Sequence, residues 1–208
     1  SSSLLYSSAS ELKKEYAHMI AAALVLIASK SNDKVGLLLF AEGIEFYAPP
    51  RKGRSHASLL VRQIFAAQEQ RQLRKQSNLL MAGEFLASLR ARGAIAFMVS
   101  DWVSVDEQYT RMLGFMGTRY EAIAVRITDS LEQQLPNVGV LAVVDPETGQ
   151  EVLLDTRGSA GKTLNGLLAR RMQEQKRLLR QYKIDVLDIK VGESFIDAMA
   201  SFFHYRVH

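Results

Sequence analysis

The sequence has 208 residues, 48% of them hydrophobic and 23% charged, with only 13 Gly and 4 Pro. These proportions exclude intrinsic disorder and collagen-like repeats, and they suit one domain dominated by regular elements over residues 1–208. There is no cysteine, so disulfides, thiolate metal sites and a cysteine nucleophile are excluded, and a net charge of +4 permits an anionic partner without demanding one.

The chain opens on Ser1-Ser2-Ser3 rather than Met, which reads as a fragment or a processed product. No signal-peptide pattern follows. The longest apolar run, Met19 to Ala28, has about half the length needed to span a bilayer and reads as a buried helix face. A cytoplasmic location is expected, with any membrane anchor lying upstream.

Residues 10–31 predict a long helix, with Ser10 as N-cap and Glu11 and Glu15 suiting its positive first turn. Residues 34–41 contain VGLLLF, a continuous apolar run between turn residues, which predicts a strand covered on both faces. Glu42-Gly43 turns into a second strand at 44–48, ended by Pro49-Pro50 and suited to a sheet edge. Helices are expected at 55–68 and 78–92, the latter closed by Gly93. A second apolar strand follows at 94–99, then a helix at 105–119 and strands at 122–128 and 138–144. Asp145-Pro146-Glu147-Thr148-Gly149 is a strong turn into 151–154, which predicts a hairpin. A basic amphipathic helix at 163–182, a strand at 185–191 and a helix at 194–208 complete the chain. Helices alternating with apolar strands predict an α/β fold, an open, mainly parallel sheet with helices on both faces and 44–48 antiparallel at one edge.

In such sheets ligands bind beyond the carboxyl ends of the strands. Ser100-Asp101 falls there, and a carboxylate fixed by a buried strand can hold a hard cation. A helix N-cap or a solvated turn is the alternative for Asp101. Gly158-Ser159-Ala160-Gly161-Lys162-Thr163 follows a strand and opens a helix, the setting of a phosphate-binding loop. Thr156 stands where that motif needs its first glycine, so nucleotide binding through Lys162 and Thr163 is the weaker alternative. His204 and His208 have the i, i+4 spacing of a zinc pair but sit at a chain end. Arg170, Arg171, Lys176, Arg177 and Arg180 form a basic cluster without the interleaved aromatics of a single-strand binder, and no nucleic-acid partner is expected. No nucleophile and base fall into a catalytic set, so an enzyme is not expected.

Several stretches in order carry a family resemblance. Asp33 to Phe40, the Tyr47-Ala48-Pro49-Pro50-Arg51-Lys52-Gly53-Arg54 loop, Val99-Ser100-Asp101-Trp102, Leu135-Pro136-Asn137-Val138-Gly139 and Asp145 to Gly149 resemble a von Willebrand factor A-type domain. More narrowly, they resemble the bacterial family known as domain of unknown function fifty-eight, over essentially the whole chain. The resemblance implies a Rossmann-type sheet whose first, central strand is missing from this stretch. It implies a non-enzymatic protein-interaction module acting with a MoxR-type AAA+ ATPase in assembling or maturing other proteins. It further implies a metal ion-dependent adhesion site for Mg²⁺ or Mn²⁺. Ser1 and Ser3 would supply its first loop, Ser77 its second and Asp101 its third, with Asn78 and Trp102 bordering the partner. One aspartate of the family pattern would precede Ser1, so metal binding by these residues alone should be weak or absent, with 1–8 displaced or mobile.

Overall fold

The computed structural model describes residues 2–41, 43–70, 79–89, 93–100, 102, 107–129, 139–144 and 151–206. The order of elements is α1 (Ser2–Lys30), β1 (Val35–Phe40), β2 (Ile44–Arg51), α2 (Arg54–Gln70), α3 (Leu79–Ser88), β3 (Ile95–Ser100), α4 (Glu107–Arg119) and β4 (Glu121–Thr128). It continues with β5 (Val140–Val144), β6 (Glu151–Asp155), α5 (Ser159–Gln181), β7 (Asp185–Lys190) and α6 (Phe195–Arg206).

Every expected element is present, but α3 ends at Ser88, short of the cap expected at Gly93, α5 begins at Ser159 rather than 163, and two further boundaries move in an instructive way. Helix α1 begins at Ser2, eight residues before the expected cap at Ser10, so residues 2–8 of the expected loop are helix. Leu4, Leu5 and Ala9 are good helix formers, and the serines between them are tolerated. The helix stops at Asn32, whose φ of 59° is the left-handed conformation typical of a C-terminal cap, while Asp33 N–H returns to the Ala28 carbonyl at 2.9 Å. The second boundary is at Pro49-Pro50, which lie inside β2 rather than ending it. Val35 pairs with Arg51 and Leu37 with Ala48, so the prolines occupy a register irregularity opposite Gly36. A bulge on a two-stranded ribbon needs no ladder donor from proline. At Gly36 a Cβ would stand 3.0 Å from the Ala48 carbonyl oxygen and 3.1 Å from the Pro50 ring, so a side chain there would press the ribbon apart by a few tenths of an ångström.

The described strands form three sheets rather than one. β3, β4 and β7 make a parallel sheet in the order β3-β4-β7, while β1-β2 and β5-β6 are separate antiparallel pairs. The expected antiparallel position of β2 and the hairpin of β5 with β6 are both present. The expected single sheet is not seen among the described residues.

Strand β4 organises the core. Its residues alternate between two apolar clusters. Ala122 and Ala124 meet Tyr109, Met112, Leu113 and Met116 of α4 and Leu179 of α5. Ile123, Val125 and Ile127 meet Ile20 of α1, Leu187 and Ile189 of β7 and Met199 of α6. Helix α1 also serves a third cluster, in which Ala22 and Val25 pack with Ala48, Ala57, Leu60 and Ile64. A single helix therefore covers both the parallel sheet and the β1-β2 ribbon.

Candidate functional site at the carboxyl ends of the parallel strands

Register places Ser100 of β3, Arg126 of β4 and Asp188 of β7 in one row across the sheet, near the carboxyl ends of the strands. Parallel pairing puts these three side chains on the same face. Arg126 is 2% exposed, which an arginine tolerates only when its donors are satisfied. Its Nε donates to Asp188 Oδ1 at 2.6 Å and its Nη1 donates to Gln175 Oε1 of α5 at 3.4 Å. Lys176 Nζ reaches the other oxygen of Asp188 at 2.8 Å. Burial works against the Asp188 carboxylate. Hydrogen bonds from Arg126 and Lys176 outweigh it and hold the pKa below the ordinary carboxylate range.

This network reaches the loop after β3. Gln175 Nε2 donates to the carbonyl of Trp102. The indole Nε1 of Trp102 donates to the Val125 carbonyl at 3.1 Å, and its backbone N–H reaches Ser100 Oγ at 3.3 Å. The ring stands edge-on to Tyr109 with centroids 5.7 Å apart. Trp102 has a φ of 56°, a strained conformation for a bulky residue that the surrounding bonds must sustain. Burial raises the Tyr109 hydroxyl pKa far above its ordinary value, against the opposing charge of Arg126. A fixed turn thus ends β3, pinned by α5 and β4.

Of the residues expected at a metal site, Ser1, Ser77, Asn78 and Asp101 lie outside the described residues. Ser3 lies in α1, within helix rather than in a loop. Trp102, expected to border a partner, is 3% exposed. Its ring is spent on the core, so its role is to fix the turn. Lys162 and Thr163 are exposed on the first turns of α5. The Lys162 N–H bonds to the Gly158 carbonyl at 3.3 Å, and only residues 156–158 separate β6 from the helix. His204 is exposed, and His208 lies outside the described residues. Arg126, Gln175 and Asp188 were not anticipated. A charge inside the apolar run of β4 was the available signal; its partners lie 49 and 62 residues away.

No helix among the described residues is long and apolar enough to cross a membrane. The chain is 28% identical over 149 residues to the uncharacterized proteins Mb1516 of Mycobacterium bovis and Rv1480 of Mycobacterium tuberculosis, matching 72% of this chain and 46% of each relative. The uncharacterized protein MAV169 of Mycobacterium avium is 29% identical over 101 residues, 49% of this chain and 59% of its own length. The chain thus spans about half the length of the curated relatives it matches. A crystal structure of an uncharacterized membrane-spanning protein from Vibrio fischeri aligns over 88% of this chain and 81% of its own, at 14% identity and a TM-score of 0.24. The family described as protein of unknown function DUF58 matches residues 1–175, which include the Pro49-Pro50 bulge, the whole of β3 and β4 and the Trp102 turn, and the chain belongs to that family.

Proposed function

We propose that this chain is a von Willebrand factor A-type interaction module that binds a protein partner through a divalent cation, working beside a MoxR-type AAA+ ATPase rather than as a catalyst. The observation that carries the reading is the fixed turn after β3. Ser100 closes the strand and Trp102 is locked two residues on, at the strand end where α/β sheets bind ligands and where the sequence carries Asp101. The proposed donor set of Ser1, Ser3, Ser77 and Asp101 consists of hydroxyls and one carboxylate. These are hard oxygen ligands, matching Mg²⁺ or Mn²⁺. The bound ion would supply an open coordination position for a carboxylate of the partner. Arg126, Gln175 and Trp102 would hold the backbone of the third loop in place.

The reading also includes a further strand between β1 and β3. Among the described residues each has a partner on one side only, β2 and β4 respectively, and neither strand carries a charged residue to blunt the open edge. Helix α1 packs against both.

With a single carboxylate in the donor set, the 208-residue chain should bind Mg²⁺ only at high added metal. A longer family protein that adds a second aspartate should bind it tightly, and Asp101→Ala should remove that binding. Calorimetric titration reads both. Tight Mg²⁺ binding by the 208-residue chain itself would show that the ligands are mis-assigned. Micromolar ATP binding abolished by Lys162→Ala would favour a nucleotide-binding protein instead. Co-purification of the longer protein with a MoxR-type ATPase, with and without Mg²⁺, tests the partner.

A further inference from the structure

Helix α5 carries six Lys or Arg residues and one acid, Glu174, so its charge of +5 exceeds the +4 of the whole chain. At 100° per residue, Lys162, Arg170, Lys176, Arg177 and Arg180 fall within a sector of about 120° and a length of about 27 Å. Glu174 lies outside that sector. The opposite side of the helix carries Gln175 and Leu179, both buried against the sheet. Among the described residues, Lys162, Arg170, Arg177 and Arg180 form no ion pair. Lys176, at the edge of the sector, is paired with Asp188, and the remaining four cations form a single-sign stripe of the kind that marks an anionic partner.

A second observation comes from Gly166, which lies within the same sector, one turn from the N-terminal end of the stripe. Glycine weakens a helix interior relative to alanine, so it needs a reason there. Three other helical glycines have one inside the molecule, whereas a Cβ at Gly114 would make only an ordinary contact with the Tyr182 ring at 3.6 Å. A Cβ at Gly83 would strike the Met112 side chain, and one at Gly117 or Gly161 would strike the backbone at Tyr182 or Thr156. A Cβ at Gly166 would meet nothing within 4 Å, and the residue is exposed. The fold itself has no use for glycine at this position. A neighbour approaching from outside would.

We propose that the outer face of α5 docks an acidic helix of a protein partner, which lies along the stripe and comes closest at Gly166. A helix fits because the stripe is straight and one helix wide, and because a gap for close backbone approach suits packing of two helices. A nucleic-acid duplex or an anionic bilayer would use the charges but not the gap. This surface is independent of the proposed metal site, since it requires neither Asp101 nor a cation.

The test uses the 208-residue chain and a stapled alanine-based helix of about 20 residues bearing glutamates at i, i+4 spacing. Fluorescence anisotropy at low salt should give a micromolar dissociation constant, rising about tenfold when Arg170 and Arg177 are both changed to Glu. Gly166→Leu should raise the melting temperature of the free chain, because leucine is the better helix former, yet weaken peptide binding about tenfold. Unstructured polyglutamate, phosphatidylserine vesicles and duplex DNA are the comparison ligands. Absence of peptide binding, equal binding of polyglutamate, tighter binding of vesicles or DNA, or unchanged affinity in Gly166→Leu would each overturn the proposal.

Discussion

Strands β1 and β4 are both rich in apolar residues, yet they end in different surroundings. In β4 seven consecutive residues, Ala122 to Thr128, are buried, with β3 and β7 on its two edges and an apolar cluster on each face. In β1, reading VGLLLF, five residues are half-buried and Gly36 is exposed. Among the described residues only β2 pairs with it. β3 is intermediate, with β4 on one edge and its last five residues half-buried. The contrast teaches that an apolar run records a requirement for cover, while the number of neighbouring strands decides how far that requirement is met. β4 is so well covered that it accommodates an arginine, provided that arginine is fully paired.

The largest effect should come from breaking that pairing. Arg126→Ala leaves Asp188 without its nearest cation and opens a void, and is expected to cost about 3–5 kcal/mol in urea unfolding. A loss below about 1 kcal/mol would mean that the network contributes little. Comparing truncations in the two strands tests the contrast itself. Ile123→Ala in β4 should cost about 3 kcal/mol, while Leu38→Ala in half-buried β1 should cost about 1 kcal/mol. Equal costs would contradict the difference in cover.

Gln175→Leu should cost about 1–3 kcal/mol, because the Trp102 carbonyl and Arg126 each lose a buried partner. Trp102 is the only tryptophan, so its emission reports the turn directly. A red shift and greater acrylamide quenching are expected at temperatures where the far-ultraviolet signal stays native. An unchanged emission would show that Gln175 does not hold the turn.

The smallest effect is the response to acid. The Asp188 pKa is lowered in the folded chain, so its contribution to stability is present above the unfolded value of about 3.9. That contribution is lost as pH falls through the lower, folded value. Its side chain is 37% exposed, so salt should screen part of the effect. Asp188→Asn should flatten the stability profile below about pH 4. An identical acid limb in wild type and variant would remove Asp188 from the account.

The element order was legible because periodicity and punctuation are local. The Glu42-Gly43 turn, the apolar run after Gly93 and the alternation of α5 each concern residues within a turn or two of one another. The start of α1 was not legible. The serines at 2, 3, 7, 8 and 10 allow either a helix or a capped loop, and Ser10 offered a plausible N-cap. The two prolines misled for a related reason. Their effect depends on whether the opposite strand leaves a gap, and that gap is set by Gly36, thirteen residues before Pro49.

The candidate site divides in the same way. Ser100-Asp101 was visible because a strand end followed by a carboxylate is a local pattern. The machinery that fixes the turn was not, because it joins Trp102 to Gln175, 73 residues away, and Arg126 to Asp188, 62 residues away. No spacing rule spans such distances, and the pairings exist only once β4 lies between β3 and β7.

By itself the sequence determined the succession of helices and strands, the antiparallel pairing of β1 with β2 and of β5 with β6, and the family. Each of these rests on residue patterns that a chain carries before it folds. Only the tertiary structure decided that the described strands form three sheets, that Trp102 turns inward, and that Arg126 inside β4 is buried and neutralised. Those outcomes depend on which side chains meet across the sheet, and desolvating a charge or an indole is favourable only where a partner from a distant element is already in place.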